Sequence, residues 1–247
     1  MKLSVVIPAF NEVTRILATL ARIFAYMEGH HPDYEVVVVD DGSTDGTAAA
    51  IEKQFGNCPH VRVLSYGGNR GKGYAVRYGA MQARGDVVLM SDADLSTPIE
   101  EVEKMFPLLQ QGYEMVIGSR ALAQSEIRKR QPLYRESGGK FFNLLVRLIV
   151  LPDFRDTQCG FKLFRRDPLL PVLGHQQIDG FAFDVELIAL AQGLGLKVAE
   201  VPVIWINSPT SRVRMRAALR AFADLVFIRK RVRRAWMEPQ RLDGARP

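Results

Sequence analysis

Short apolar runs alternate with stretches of helical periodicity through the first half of the chain. Apolar residues spaced three or four apart, as at Ile16, Leu20 and Ile23, predict helices between the runs. A run that is apolar on both faces is typical of a strand inside a parallel sheet. The alternation predicts an α/β fold with a mostly parallel central sheet flanked by helices, the Rossmann-like arrangement. The predicted strands cover residues 3–7, 35–39, 61–64, 87–90 and 115–118, with later helices over 74–83 and 100–111.

The pattern loosens after the fifth predicted strand. Residues 121–139 are polar and basic, which predicts a mobile loop and a candidate lid. Residues 141–151 form a helical segment that is apolar on nearly every side, and such a helix is either buried core or pressed against a bilayer surface. Pro202 marks an edge or a bend in the final strand. The remaining predicted elements are strands over 161–164 and 198–206 and a helix over 184–194.

The C-terminal segment combines an apolar stripe with dense positive charge. Apolar residues recur there at helical spacing, at Met215, Leu219, Phe222 and Val226. Nine basic residues and one acid give residues 212–234 a net charge of +8, so the rest of the chain carries −2 of the total of +6. This pattern is typical of a helix on anionic lipid. Nucleic acid is the weaker alternative, because no base-stacking pattern accompanies the charge. We therefore divide the chain into an α/β domain (1–211), a basic amphipathic helix (212–236) and a disordered tail (237–247).

Composition narrows the class of protein. Apolar residues make up 47% of the 247 residues, which is enough to bury a sizeable core. The two cysteines, Cys58 and Cys159, lie far apart, and the four histidines show no metal-ligand spacing. These counts argue against a disulfide framework or a zinc site and favour a reducing compartment. Because no apolar run is long enough to cross a bilayer, we expect a cytoplasmic protein that is peripheral at most.

Two carboxylates directly follow the fourth predicted strand. Asp92 and Asp94, separated by Ala93, would lie at the carboxyl end of a buried strand, where α/β proteins bind ligands. Acids at such a rim repel each other unless a cation sits between them and a ligand. Their hard oxygen atoms suit Mg²⁺ or Mn²⁺ bridging to the phosphates of a nucleotide. The alternative is that Asp94 caps the helix beginning near Thr97 while Asp92 stays solvated.

Polar clusters also follow the first and second predicted strands, at Asn11-Glu12 and Asp40-Asp41. In a parallel sheet these clusters would gather at the same edge as the pair of aspartates. Each cluster alone is more often a turn or a cap, with Ser43, Thr44 or Asp45 as the cap of the second helix. Acids gathered at one rim lower stability unless a ligand uses them, and the carboxylate of Asp41 is suited to accept hydrogen bonds from a nucleobase.

A glycine-rich stretch, residues 67–73, follows the third predicted strand. It lacks the spacing of a Walker phosphate loop and the position of a dinucleotide fingerprint. Backbone amides together with Lys72 or Arg70 beside a pyrophosphate are one interpretation of this stretch. A plain flexible turn is the other.

Seven motifs follow one another in a fixed order: VIPAFNE (6–12), VDDGSTD (39–45), NRGKG (69–73), DADLSTP (92–98), GSR (118–120), DTQCGFK (156–162) and GFAFDVE (180–186). In this order they resemble the family 2 glycosyltransferases with the GT-A fold. The similarity is greatest to polyprenyl-phosphate hexosyltransferases of the dolichyl-phosphate glucosyltransferase group, with the dolichyl-phosphate mannose synthases as nearest sisters. It covers the chain from the first strand to about residue 212.

The resemblance implies roles for the matching residues. Asp92 and Asp94 would hold the metal ion, and Asp94, Arg120 and Arg135 would be catalytic. The acceptor phosphate would meet Arg120, Ser211 and Arg212, although relatives often have Ser-Lys where this chain has Ser-Arg. Contacts to the nucleotide sugar are implied for Pro8, Ala9, Glu12, Asp41, Lys72, Asp92 and Ala93.

The resemblance also implies an activity. It is the inverting, metal-dependent transfer of a single hexose from a nucleotide sugar, UDP-glucose or else GDP-mannose, to a polyprenyl or dolichyl phosphate. This reaction would take place on the anionic cytoplasmic face of a membrane. Two alternatives remain: a soluble transferase of the same fold that uses a small acceptor, and a catalytically silent nucleotide-sugar-binding protein. The Gln-x-x-Arg-Trp element of processive synthases is absent, which favours transfer of one sugar.

Overall fold

The computed structural model describes residues 1–208 and 215–237, with side chains for 1–208 and 220–232. The strands are β1 (Leu3–Ala9), β2 (Tyr34–Asp40), β3 (Val61–Ser65), β4 (Val87–Met90), β5 (Met115–Ser119), β6 (Glu126–Lys129), β7 (Lys162–Arg165), β8 (Val198–Pro202) and β9 (Ile204–Ile206). The α-helices are α1 (Ile16–His30), α2 (Thr47–Phe55), α3 (Lys72–Gln82), α4 (Phe106–Gln110), α5 (Leu133–Ile149), α6 (Arg166–His175), α7 (Phe183–Gly193) and α8 (Met215–Met237). A 3₁₀ helix covers Ile99–Lys104.

Seven strands form one central sheet in the order β3-β2-β1-β4-β7-β5-β8. The five strands predicted from the first half of the chain are all present and run parallel to one another. β7 is antiparallel and lies between β4 and β5, pairing Met90 and Ile117 with Lys162. The predicted α/β class with a mostly parallel sheet is therefore confirmed.

Helices cover both faces of the sheet and complete two apolar layers. One layer packs α1, α4 and the 3₁₀ helix against one face, around Ile16, Leu20 and Ile23. The other packs α3, α6, α7 and part of α8 against the opposite face, around Val76 and Phe183. Burial on both faces explains why the central strands are continuous apolar runs.

The structure corrects three local predictions. The second helix has Gly46 at its N-cap, in the left-handed region at φ +87°, while the Asp45 carboxylate accepts a hydrogen bond from the amide of Thr47, the first residue of the helix. The helix predicted over 100–111 is a 3₁₀ helix followed by short α4, because Pro107 has no N–H to continue a single helix. The stretch 121–139 contains β6, which pairs with β9 in a small second sheet, and the first turns of α5.

Prolines explain two further features. The strand predicted over 198–206 divides after Pro202, where β8 ends and β9 leaves the central sheet, as expected of a bend. The pattern of residues 166–175 gives no helix signal, since Pro168 and Pro171 interrupt it, yet the chain there forms α6. Pro168 is tolerated because the amides in the first turn of a helix have no partner within the helix. Pro171 lies inside the helix, and the burial of Leu169, Val172 and Leu173 offsets the backbone hydrogen bond that it removes.

Helix α5 lies on the surface, with one side against the domain and Val146 as its buried residue. Its inner side packs on the core through Val146, while its outer side exposes large apolar residues. Of the face predicted to be core or membrane-facing, Phe141, Leu144 and Leu148 are 56%, 48% and 70% exposed. We call this outer side, with Leu133 and Tyr134, the α5 apolar face.

Helix α8 is anchored in the domain by a different face from the stripe expected to touch lipid. Ala221, Leu225, Ile228 and Val232 are buried in the core layer shared with α7. From the predicted stripe, Phe222 packs against Phe141 and Phe142 of α5, while Val226 is exposed. None of the helices in the described ranges is long and apolar enough to cross a membrane.

Candidate active site

The loops that follow β1, β2, β3 and β4 come together at one edge of the central sheet. Asn11 joins the first two loops, since its side chain accepts a hydrogen bond from the Thr44 amide and its own amide donates to the Ser43 hydroxyl. Lys72, beyond β3, and Asp92, beyond β4, form an ion pair. The predicted convergence of polar clusters on one rim is therefore present in the structure.

The segment carrying the two aspartates is a compact turn. The Leu95 amide donates to the Asp92 carbonyl, and the Asp94 carboxylate accepts a hydrogen bond from the Ser96 amide at 3.0 Å. Leu95 adopts φ +45°, a left-handed conformation that a residue with a bulky side chain rarely takes outside functional turns. The 3₁₀ helix begins only after Pro98, so Asp94 stabilises the turn and does not cap a helix.

Asp92 lies in a strongly positive environment. Its Oδ1 is 2.6 Å from Lys72 Nζ, and 36% of its side chain remains exposed. Partial burial by itself would raise the pKa of Asp92, but the charge of Lys72, with Lys162 and Arg120 adding, holds it below its usual range. The same pairing raises the pKa of Lys72 against the effect of burial. Both groups are therefore charged at neutral pH.

Asp94 faces a second cation. Arg15 Nη1 is 3.7 Å from Asp94 Oδ2, and the same guanidinium binds the Glu12 carboxylate. Arg15 also donates a hydrogen bond to the Ser208 hydroxyl at 2.9 Å. Arg15 thus links Glu12, predicted to contact the nucleotide, to one of the predicted metal ligands, a link that sequence reasoning missed.

Asp41 is buried and fully engaged by the glycine-rich stretch. Its two carboxylate oxygens accept hydrogen bonds from the Tyr66 hydroxyl, the Asn69 side-chain amide and the backbone amides of Arg70 and Gly71. A carboxylate has room for about four such bonds. The backbone amide of Asp41 donates to the carbonyl of Ala9, which lies buried at the end of β1 next to Pro8. In this structure Asp41 shapes the loop, and its contact with a base stays a prediction.

The glycine-rich stretch is an ordered loop that continues into the first residues of α3, Lys72 and Gly73, and several of its backbone amides donate hydrogen bonds to acceptors within the protein. The amides of Arg70 and Gly71 point to Asp41, and that of Gly73 donates to the Asp179 carbonyl. The guanidinium of Arg70 stacks on the ring of Tyr74, 3.5 Å from its centroid. Lys72 is the residue of this stretch that forms an ion pair with Asp92.

Arg120 stands at the end of β5 on a buried carboxylate. Its Nε and Nη2 donate to the two oxygens of Asp156 at 2.6 and 2.8 Å, and its backbone amide donates to the same group. Its guanidinium also lies 5.6 Å from the Trp205 ring. A quarter of the Arg120 side chain remains exposed, so the pair fixes the cation without hiding it.

Asp156 is suited to hold that cation over a wide pH range. Burial alone would raise its pKa, but the charge and hydrogen bonds of Arg120 lower it to about 2. Because the folded-state pKa is depressed, the pair stabilises the fold above the ordinary aspartate range, and this contribution is lost only as the pH falls towards 2.

A second buried ion pair, Lys162 with Asp184, lies close enough to Asp92 and Lys72 for its charges to act on them. The sequence analysis assigned this pair no role. Lys162 is fully buried on β7, and its Nζ lies 2.5 Å from Asp184 Oδ1 of α7. It also donates to the Cys159 carbonyl. The available signal was a lysine at an inward position of an apolar strand, because such a charge is rarely fully buried without a partner.

Three of the predicted site residues lie either on α5 or outside the described residues. Arg135 lies in the first turn of α5, with its guanidinium 5.9 Å from the ring of Tyr134. Ser211 and Arg212 lie outside the described residues. The catalytic role of Arg135 and the acceptor contacts of the other two stay predictions.

The two aspartates suit a cation that arrives with its ligand. Among the described residues, no three histidine, cysteine, aspartate or glutamate side chains gather as a preformed metal site. Mg²⁺ and similar ions are commonly bound by one or two carboxylates, with substrate phosphates and water supplying the other ligands. Asp92 and Asp94 fit a site of this kind, which is completed only when the substrate phosphates bind.

Gly160 provides the space that the Asp92 carboxylate occupies. A Cβ at position 160 would lie 2.1 Å from Asp92 Oδ2. We expect Gly160→Ala to displace that carboxylate and weaken binding of a metal–nucleotide complex roughly tenfold, since a charge-assisted hydrogen bond contributes about 1.5 kcal/mol. Titration calorimetry with UDP and Mn²⁺ measures this. Gly29→Ala on α1 is the control, because a Cβ there also meets no atom within 4 Å, and equal losses in both variants would contradict the prediction.

Comparison with known proteins gives a consistent result at the level of sequence. Residues 4–171 match the model of Glycosyl transferase family 2. The dolichyl-phosphate beta-glucosyltransferase of Mus musculus is 37% identical over 245 residues, covering 93% of this chain and 75% of that protein. The protein of the same name from Saccharomyces cerevisiae is 33% identical over 246 residues, covering 92% of this chain and 74% of that one.

Solved structures share the fold at lower identity. Glucosyl-3-phosphoglycerate synthase from Mycobacterium tuberculosis, in complex with Mn²⁺, UDP and glucosyl-3-phosphoglycerate, superposes with a TM-score of 0.68 and 22% identity, covering 93% of this chain and 80% of that one. Mannosyl-3-phosphoglycerate synthase from Rubrobacter xylanophilus gives 0.67 and 22%, covering 100% and 77%. The central sheet and its flanking helices are thus those of the GT-A fold.

Proposed function

Because this chain belongs to glycosyl transferase family 2 and is a glycosyltransferase, we propose that it moves a single glucose from UDP-glucose to a polyprenyl phosphate, dolichyl phosphate in particular. The reaction takes place at a membrane surface. The relatives named above support this choice of sugar and carrier. The observation that carries the proposal is the rim on which Asp92, Asp94, Lys72 and Arg120 bring two acids and two cations together.

The donor fits the acidic side of this rim. Asp92 and Asp94 would hold a divalent ion, Mg²⁺ or Mn²⁺, which neutralises the diphosphate when bound. Lys72 meets the same diphosphate directly, because its ammonium already lies beside Asp92. Glu12, steadied by Arg15, and the β1 end at Pro8 and Ala9 face the nucleoside. Each of these groups acts by position and charge and needs no proton transfer.

The acceptor fits the basic side. A phosphate monoester is already anionic near neutral pH, so it attacks without a general base, whereas a sugar hydroxyl needs one. Its oxygen forms a bond to the anomeric carbon while the bond to the diphosphate breaks, and the nucleoside diphosphate leaves with the electron pair. Arg120, fixed by Asp156, aligns the attacking phosphate. One displacement inverts the anomeric carbon, so an α-linked donor yields a β-linked product.

The lipid tail of the acceptor fits the α5 apolar face. Asn143, on the inner side of the same helix, is 3.5 Å from Asp156, which holds Arg120. One helix therefore borders the predicted phosphate site on one side and exposes Phe141, Leu144 and Leu148 on the other. With exposed Arg147 beside this face and the excess positive charge of α8, the surface suits an anionic bilayer.

The α5 apolar face gives a testable membrane prediction. We expect Leu144→Ser combined with Leu148→Ser to lower flotation with anionic vesicles about tenfold or more, because each leucine removed from water contributes about 1.5 kcal/mol or more. Met81→Ser, at an exposed apolar position on α3, is the control and should float normally. Unchanged flotation of the double variant would reject this surface. Removing α8 is a poor test, since its buried face belongs to the core.

The activity itself is tested with purified protein, a panel of nucleotide sugars and a short polyprenyl phosphate. We expect glucose transfer from UDP-glucose, with a β-linked lipid product detected by mass spectrometry and NMR. Transfer from GDP-mannose instead would replace the proposed donor. Transfer to 3-phosphoglycerate in place of the lipid would support the soluble alternative.

A further inference from the structure

The loop that carries Lys72 is held from two sides. On one side, Asp41 accepts hydrogen bonds from the loop, as described above. On the other lies the last residue of α6 with most of the chain that leads to α7, residues 175–180, which we call the connector. The Gly73 amide donates to the Asp179 carbonyl at 2.8 Å, and the Gln176 side chain donates to the Gly73 carbonyl at 3.0 Å. Lys72 lies between these two attachments.

The loop and the connector are in very close contact. A Cβ at Gly71 would lie 2.4 Å from the Asp179 carbonyl oxygen, and one at Gly73 would lie 2.5 Å from that of Ile178. Both glycines are therefore required by the proximity of the connector. A displacement of the connector would move the backbone on each side of Lys72, because close-packed atoms leave no slack between them.

The connector is fixed in turn by a buried carboxylate. Glu186 on α7 is 1% exposed, and its Oε2 accepts hydrogen bonds from the amides of Gln177 at 2.9 Å and Ile178 at 2.7 Å. Its other oxygen, Oε1, lies 2.5 Å from Arg231 Nη1. Arg231 belongs to α8 and also donates to the His175 carbonyl at the start of the connector.

Arg231 is suited to this double contact. Its guanidinium offers donors in a rigid fork, so that one group can serve both the carboxylate and the carbonyl. Without it, Glu186 would keep a buried negative charge with a weakened set of partners, and such a charge is strongly unfavourable. The basic C-terminal helix therefore contributes a bond to the support of the donor site, in addition to any contact with lipid.

We propose that Glu186 and Arg231 are positioning residues for the sugar donor. They hold the connector, the connector holds the backbone on both sides of Lys72, and Lys72 is thereby kept 2.6 Å from Asp92. The inference rests on the proposed function, which assigns Lys72 to the donor diphosphate. It adds that an intact α8 is needed for donor binding even when no membrane is present.

Arg231→Gln in the full chain tests the proposal. We expect its affinity for UDP with Mn²⁺, measured by calorimetry without vesicles, to fall about 3- to 30-fold, the usual range for a mutation acting through intermediate contacts. The KM for the donor should rise while the KM for the acceptor stays the same, a split that general destabilisation does not produce. Lys230→Gln removes the same charge from an exposed neighbour on the same helix and should bind UDP normally.

Two further variants separate positioning from folding. Arg231→Lys keeps the charge but loses the fork, so it should recover part of the affinity. Glu186→Gln combined with Arg231→Gln removes the unpaired buried charge, and we expect it to unfold near the wild-type temperature but still bind UDP weakly. If Arg231→Gln, or this folded double variant, binds UDP with wild-type affinity, the positioning role is overturned while the proposed function still stands. Failure of the wild-type protein to bind UDP would instead reject the proposed donor, and the inference with it.

Discussion

Asp94→Asn should lower turnover by a factor of about 10² or more while leaving the fold intact. The substitution keeps the size of the side chain and an oxygen that can accept the Ser96 amide hydrogen bond, so the turn should persist. It removes the negative charge that would hold the cation at the donor diphosphate. Loss of one preorganised charge or donor at a reacting centre typically costs 10²- to 10³-fold in rate. Initial rates with saturating donor and acceptor, at several Mn²⁺ concentrations, measure the effect.

A second aspartate-to-asparagine variant, at a position away from the rim, serves as the control. Asp86→Asn makes the same change at an exposed carboxylate far from the rim, which accepts a hydrogen bond from the Lys2 amide, and it should leave turnover unchanged. The Asp94 variant should also require more Mn²⁺ for half-maximal rate than the wild type. Near-normal turnover with an unchanged Mn²⁺ requirement would show that Asp94 has no part in holding the metal.

Arg120→Ala should reduce turnover about 10²-fold or more and leave nucleotide affinity nearly unchanged. The reason is that Arg120 is assigned to the attacking phosphate, whose charge shifts during the displacement, and not to the donor. Single-turnover rates and UDP calorimetry on the same preparation measure the two effects separately. Equal losses in rate and in UDP affinity would indicate that the residue only supports the structure.

The structure requires a companion variant, because Arg120→Ala also leaves Asp156 buried without its cation. Breaking a buried ion pair by removing one partner costs about 3–5 kcal/mol of stability. Arg120→Ala combined with Asp156→Asn removes that penalty and should unfold near the wild-type temperature. If this double variant regains activity as well as stability, the alignment role of Arg120 is refuted.

The sheet and its active rim followed from the sequence because both depend on local patterns. Apolar runs such as 35–39 are bounded by turns, and parallel strands bring their carboxyl ends to one edge. Asp92, Asp41 and Glu12 could therefore be placed together from their position after strands alone. No knowledge of distant contacts was needed.

The ion pairs of the site join residues that are distant in the sequence, so they could not be predicted from it. Asp156 lies 36 residues beyond Arg120, and its pairing follows from the return of the chain along β7. The antiparallel direction of β7 leaves no periodic signal, because an apolar strand reads the same in either orientation. Lys162 and Asp184 likewise find each other only in the folded core. Motif order marked these residues, but their tasks became visible in three dimensions.

The placement of β7 beside β5 has a consequence for how acceptor preference could change between relatives. The chain leaves the sheet after Ser119, forms β6 and α5, and returns at Lys162, which pairs with Ile117. Residues 120–161 are thus one excursion whose two ends lie on adjacent strands, and its contacts outside the sheet include β6 against β9 and α5 against α8. Grafting residues 120–161 together with the facing residues of β9 and α8 from a relative that uses a water-soluble acceptor should redirect the sugar to that acceptor, with the nucleotide preference of the recipient retained.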